Sequence, residues 1–268
     1  MNLPQRKNSV KPKLSILIYN FFATITGLTI FSIEFFKNVF IPPYEIAEIR
    51  RHMDELGVKT LPIVSVTGFI IGLVLAMQSI PVMTKFGAAD FVPGTVAISI
   101  VRELGPVITA LIFAGRVSSG IGAELGSMRV TEQIDAMEVS AVDPFNYLVV
   151  TRVIATTMIL PVLTIYVIFI ALIGAFIAVI IAMSMNFQYY QNAVLSSVEF
   201  IDFIPGIAKT FPFGFIVGIV GSYQGFTAEG GTEGVGNAST TSVVLSSLLI
   251  LVLDMIAVKI TLMIWPVV

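Results

Sequence analysis

The stretch LPIVSVTGFIIGLVLAMQSIPVM, residues 61–83, carries no charged side chain from end to end, and Lys59 and Lys85 stand just outside it. About 20 helical residues at 1.5 Å each cover the ~30 Å hydrocarbon core of a bilayer. The stretch therefore reads as a helix that crosses a membrane. Gly68 and Gly72 stand four apart and leave one face small enough for a second helix to approach closely.

Working outward, other apolar segments alternate with polar ones. Leu14 to Phe40 is apolar and aromatic, but Glu34 and Lys37 interrupt it and Pro42-Pro43 end it. Its uninterrupted part, Leu14 to Ile33, is long enough to span and could equally lie along the interface. Residues 44–60 are polar and form a water-facing helix or loop. After a polar turn at 85–94, a third segment runs from Thr95 to Ala114, followed by a polar, glycine-rich stretch to Ser140. Asp143-Pro144 marks a break, because the residue before a proline is pushed out of the helical region. A fourth segment, Tyr147 to Met185, has its span at 158–183, and Asn186 to Asp202 is a polar connection. A fifth runs from Phe203 to Tyr223 with Gly214 and Gly218. Gln224 to Thr241 is a small-residue loop, and a sixth segment, Ser242 to Val267, holds Asp254 and Lys259.

Composition agrees. Hydrophobic residues make up 56% of the 268 positions and charged ones 12%, against about 25% charged in soluble domains. The excess apolar surface belongs against lipid. A net charge of −2 gives no reason to expect nucleic acid as a partner. The absence of cysteine excludes disulfides and thiolate chemistry. Arg6, Lys7, Lys11 and Lys13 form a basic tail without a convincing cleavage signal, read as retained and cytoplasmic. Arg50, Arg51 and Lys59, then Arg116, Arg129 and Arg152, form further basic regions. The positive-inside rule places them with the tail. That favours an interfacial or re-entrant first segment, five true spans and an outer C-terminus. One domain is expected: residues 1–60 as tail, interfacial helix and connector, and 61–268 as the five-span core.

Arg102-Glu103 lies inside an apolar helix, where an ionisable residue is by default a functional hypothesis. The alternative is an ion pair that only fixes packing. Adjacent helical residues point about 100° apart, so each needs its own partner or a wet cavity, and Pro106 can kink the helix to open one. Thr131 to Glu138 reads as a short amphipathic helix, with Val130, Ile134, Met137 and Ala141 on one stripe and Glu132, Asp135 and Glu138 exposed. It suits docking to a soluble partner, or packs on its own protein as an ordinary surface helix. Asp254 and Lys259 are five apart and each should meet another helix. A phosphate-cradling Gly-x-x-x-x-Gly-Lys-Ser/Thr loop is absent, as are hydrolase signatures, so the chain should not hydrolyse ATP itself.

Several runs together resemble the MlaE family of ABC transporter permeases: RELGPV (102–107), AGR (114–116), AELGSMRVTEQIDAME (123–138) and VDP (142–144). The likeness extends more loosely over Gly68 to Gln78 and the Asp254 helix. It implies an all-α integral membrane protein with an interfacial N-terminal helix, five spans and a cytoplasmic coupling helix. It implies a homodimer in the bacterial inner membrane that moves phospholipid, with an ATPase dimer below and a periplasmic MCE-domain hexamer above. ATP and magnesium would be bound by the ATPase, with no cofactor or metal in this chain. Thr131, Glu132, Gln133, Ile134, Asp135, Met137 and Glu138 would form the coupling helix. Leu75, Ile80, Val101, Arg102, Glu103 and Leu104 would line or border the lipid pocket. Two rival readings are an ion-coupled secondary transporter using Arg102, Glu103, Asp254 and Lys259, and a membrane scaffold. Inverted halves would favour the first rival, and the sequence shows none.

Overall fold

The computed structural model describes residues 13–42 and 44–264. The basic residues Arg6, Lys7 and Lys11 lie outside the described residues. Among the described residues the chain is helical and without strands. The chain forms two units, Met1–Ile41 and Pro42–Val268.

Among the described residues the first unit holds one helix, α1 (Lys13–Asn38), which continues through Glu34 and Lys37. Its Thr29 and Ser32 hydroxyls donate back to the carbonyls of Ile25 and Leu28 at 2.8 and 2.7 Å. A hydroxyl satisfied by its own helix needs no water.

The second unit contains α2 (Ile46–Lys85), α3 (Ala89–Val130), α4 (Gln133–Val139), α5 (Phe145–Met183), α6 (Phe187–Ser197), α7 (Phe200–Phe226) and α8 (Gly231–Ile264). α2, α3, α5, α7 and α8 are long and apolar enough to cross a membrane, which gives the five expected spans. The protein is a multi-pass membrane protein.

Backbone proximity organises the bundle. An added Cβ at Gly72 would collide with the backbone of Ala171, and one at Gly174 with the backbone of Phe69. α2 and α5 can lie this close only because both positions lack a side chain. Two apolar cores follow. One gathers Phe113, Leu125, Ile134, Leu160, Phe213 and Ile250 near α4. The other gathers Val92, Val96, Ile100, Ile168, Val179 and Tyr190 toward the opposite end.

The structure corrects several boundaries. From Ile46 on, the 44–60 stretch and the 61–83 stretch belong to one 40-residue helix, despite Pro62 and Pro81. At 1.5 Å per residue that is about 60 Å, so its polar first part must stand clear of the bilayer. The glycine-rich 115–130 stretch is helical and continues α3, and Gly122 and Gly126 within it are packing sites. A Cβ at Gly122 would stand 2.6 Å from Ser242 Oγ of α8. The polar connection at 186–202 contains α6, whose Asn186 side chain caps it by accepting from the Tyr189 amide at 2.8 Å. Most of the 224–241 loop is the start of α8, which follows Gly230 at φ 90° and opens on Gly231 at φ 70°.

Candidate functional site

The site begins with a proline. Pro106 has no N–H to give the carbonyl four residues back, and the helix around it widens. Residues Ile100–Leu104 form a π-turn, and the Gly105 amide bonds to the Ile100 carbonyl. This widened turn carries Arg102 and Glu103. Neither pairs with the other. Arg102 meets Asp202 of α7, while Glu103 accepts from Lys209 Nζ at 2.6 Å. Lys209 also donates to Asp254 Oδ1 of α8 at 2.9 Å. The requirement for separate partners is met by two residues of one other helix, α7.

Burial divides the five groups. The side chains of Asp202 and Lys209 are 3% and 7% exposed, whereas those of Arg102 and Glu103 are 40% and 44% exposed. Asp202 is fixed further as the third residue of a capping box, its Oδ2 accepting from the Glu199 amide at 3.0 Å. The buried members thus form a rigid floor, and Arg102 and Glu103 present charges of both signs above it. They border a cleft of about 390 Å³ between α3, α7 and α8, whose apolar wall includes Ile201, Pro205, Val258 and Leu262.

The exposed helix at the other end is shorter than expected. Thr131 closes α3, donating to the Ser127 carbonyl at 2.8 Å. Glu132 adopts a left-handed conformation, φ 59°, and separates α3 from α4. The helix therefore starts at Gln133 rather than Thr131. Ile134 is fully buried and Met137 packs on the same core, so this part of the apolar stripe faces the chain itself. Ala141 leaves the stripe because the helix has ended and Ala141 itself has φ 60°. Glu132, Gln133, Asp135 and Glu138 are exposed, with Asp135 paired to Arg129 at 2.5 Å, and Val139 stands 91% exposed.

The model of a family described as Permease MlaE matches residues 49–260. The chain belongs to the MlaE permease family. It is 38% identical over 232 residues to a probable ABC transporter permease of Rickettsia typhi, covering 86% of this chain and 90% of that one. It is 35% identical over 217 residues to the intermembrane phospholipid transport system permease protein MlaE of Haemophilus influenzae, covering 78% and 83%. With the chloroplastic protein trigalactosyldiacylglycerol 1 of Arabidopsis thaliana it shares 30% identity over 206 residues, 77% of this chain and 59% of that one. The resemblance read from residues 102–144 is borne out.

In this MlaE-family chain the six pocket residues named from sequence separate. Arg102 and Glu103 border the cleft. Val101 is part of the core around α3 and α5, and Leu75 and Ile80 pack against that core. Leu104 is half-buried in the π-turn. Asp254 meets another helix as expected, through Lys209. Lys259 does not: it is exposed on α8 and makes no ion pair among the described residues. Asp202 and Lys209 were not read as site residues. Lys209 is the one charged residue between Phe203 and Phe226, so the rule applied to Arg102 would have found it. Asp202 gave no such signal, because it stood at the edge of a stretch read as polar connection.

Proposed function

We propose that this MlaE-family permease is the membrane subunit of an ABC transporter. It moves phospholipid between the inner membrane and a periplasmic MCE-domain carrier, driven by a separate ATPase. The observation that carries the reading is the cleft beside Arg102 and Glu103. It sets a rigid polar floor and two exposed charges against an apolar wall, at the edge of a sparsely covered helix. A lipid needs that combination: apolar surface for its chains and a few fixed polar groups for its head. The phospholipid transport for which the Haemophilus relative is named supports the same substrate class.

The assembly follows from what the chain leaves open. In its most apolar window α8 is 11% buried, the least of the five spans, and Val258 and Leu262 on it border the cleft. A second copy against α8 would close the cleft and give the homodimer. α4 and the ends beside it carry Arg129, Arg152 and the polar part of α2, so this end is assigned to the cytoplasm. There the exposed acids of α4 would meet an ATPase dimer that binds the ATP and magnesium. The other end, with the C-terminus, would face a periplasmic MCE-domain hexamer. α1 would lie in the interface.

The test is lipid transfer by the reconstituted complex. Glu103→Ala should impair transfer of labelled phospholipid from proteoliposomes to the carrier, with expression and assembly unchanged. Normal transfer would remove Glu103 from the pathway. A chain that purifies without an ATPase and responds to an ion gradient would instead support the secondary-transporter reading.

A further inference from the structure

A second cleft, of about 640 Å³, opens between α2, α3 and α5. Its α3 residues begin at Arg116, fourteen positions past Arg102, so it lies roughly 20 Å along the helix from the first cleft. On α3, Arg116, Gly120 and Glu124 recur at four-residue spacing and share a face. Lys59 and Glu55 line it from α2, and Arg152 from α5.

Two of its cations are already neutralised. Arg152, 5% exposed, donates to Glu124 Oε1 at 2.7 Å and to the Leu148 carbonyl at 2.9 Å. Lys59 pairs with Glu55. Arg116 is different. It is half-buried, donates to Thr60 Oγ1 at 2.9 Å, and has no carboxylate partner among the described residues. Three cations against two carboxylates leave the cleft at +1, and the surplus sits on Arg116. A guanidinium carries five N–H donors in a planar fork that fits phosphate.

Depth points to the same chemistry. Thr60 is the last residue before the uncharged 61–83 stretch. Arg116 therefore sits where the polar part of α2 gives way to its bilayer-length part, the layer in which lipid phosphates lie. The floor beside it is Val117 and Ile121, apolar. Space is free as well: a Cβ added at Gly120 would meet nothing within 4 Å.

We propose that this second cleft binds a singly charged phosphate group on Arg116, supplied by a membrane phospholipid, with Lys59 at its rim. The apolar floor and the boundary depth favour a lipid phosphodiester over free phosphate. The site is separate from the first cleft and does not depend on the transport reading.

The test uses the full chain in maltoside micelles, which contain no phosphate. Dihexanoyl phosphatidylglycerol is titrated by calorimetry into the parent, Arg116→Gln, Arg116→Lys and Gly120→Leu. Arg116→Gln should raise the Kd of one saturable site by about ten-fold or more, the scale of a lost charged hydrogen bond. Gly120→Leu should weaken the same site by filling it from a position with room to spare. Arg116→Lys should bind more weakly than the parent but more tightly than Arg116→Gln, because a lysine still binds phosphate as a point charge without the fork. It also shows that loss in Arg116→Gln is not misfolding. Dihexanoylglycerol, which has the tails without the phosphate, should not compete. Competition by inorganic phosphate at its own low concentration would keep the phosphate site and make a free anion its source. Equal binding by Arg116→Gln and parent, or full competition by dihexanoylglycerol, would overturn the proposal.

Discussion

Lys209 holds the first cleft together. A buried ammonium is costly unless its charge is matched, and here two carboxylates, Glu103 and Asp254, stand within hydrogen-bond distance. Replacing it leaves those acids facing each other with nothing between. Lys209→Met should therefore destabilise the fold, by less than the ~3–5 kcal/mol of a fully buried stranded charge, because Asp254 and Glu103 are 17% and 44% exposed. Adding Asp254→Asn should return part of it, because one of the two repelling groups is gone. Thermal melts of the parent, the two single variants and the double variant measure the Lys209–Asp254 coupling, and additive losses would mean these two groups do not act as a unit. His52, in the polar part of α2, offers a second check. Burial, and then the Arg152 guanidinium, hold its pKa below the ordinary 6.5, while Glu124 and Glu48 pull it back up and Arg51 adds to the lowering. The folded chain thus takes up this proton less readily than the unfolded one. The stability involved is intact above the unfolded value and is lost as pH falls below about 6.5. His52→Gln should flatten the slope of melting temperature between about pH 7.5 and 5.5; the same slope in both would assign it to other groups.

At the scale of the element, α4 tests whether an exposed helix is a contact or only a cover. Its apolar residues Ile134 and Met137 already serve the chain's own core. Only the acidic face and Val139 remain available to another protein. Glu132→Lys with Asp135→Lys breaks one exposed pair, Arg129–Asp135, and exposed pairs contribute only about 0–1 kcal/mol. The fold should survive. We expect the double variant to assemble with reduced affinity for the ATPase and to lose the coupling of ATP hydrolysis to lipid transfer. Unchanged coupling would leave α4 as cover. The same element shows what the sequence could and could not tell. Ile134 and Met137 repeat at helical spacing and were legible. The left-handed Glu132 was not, because only the turn between α3 and α4 requires it. Glycines show the same limit. The sequence marked 115–130 only as polar and glycine-rich, not that Gly122 and Gly126 are helix residues pressed against α8 and the turn before it. Tertiary packing outweighs a propensity cost of about 1 kcal/mol per glycine. The π-turn was half legible: Pro106 announced a disturbed helix, but not that the disturbance would aim Arg102 and Glu103 at two separate residues of α7.

For the whole molecule, the span count was legible because an uncharged run of bilayer length has few other uses in water. What composition could not supply was which ends lie together, since the basic residues decide that only by bias. Alternation of five spans makes the question sharp. The short link between α2 and α3 at Phe86 must lie opposite α4, and the link between α7 and α8 at Thr227 must lie with α4. The chain contains no cysteine, so single cysteines at Phe86, Ser140 and Thr227 can be labelled without background. All three positions are exposed. A membrane-impermeant maleimide added to intact cells should label Phe86→Cys and spare Ser140→Cys and Thr227→Cys until the membrane is opened. The reverse pattern would put α4 outside, beyond reach of any cytoplasmic ATPase, and would also move the Arg116 cleft to the outer leaflet. Labelling of Ser140→Cys and Thr227→Cys from different sides would break the five-span count itself. One assay thus separates an error of orientation, which leaves the fold intact, from an error of architecture.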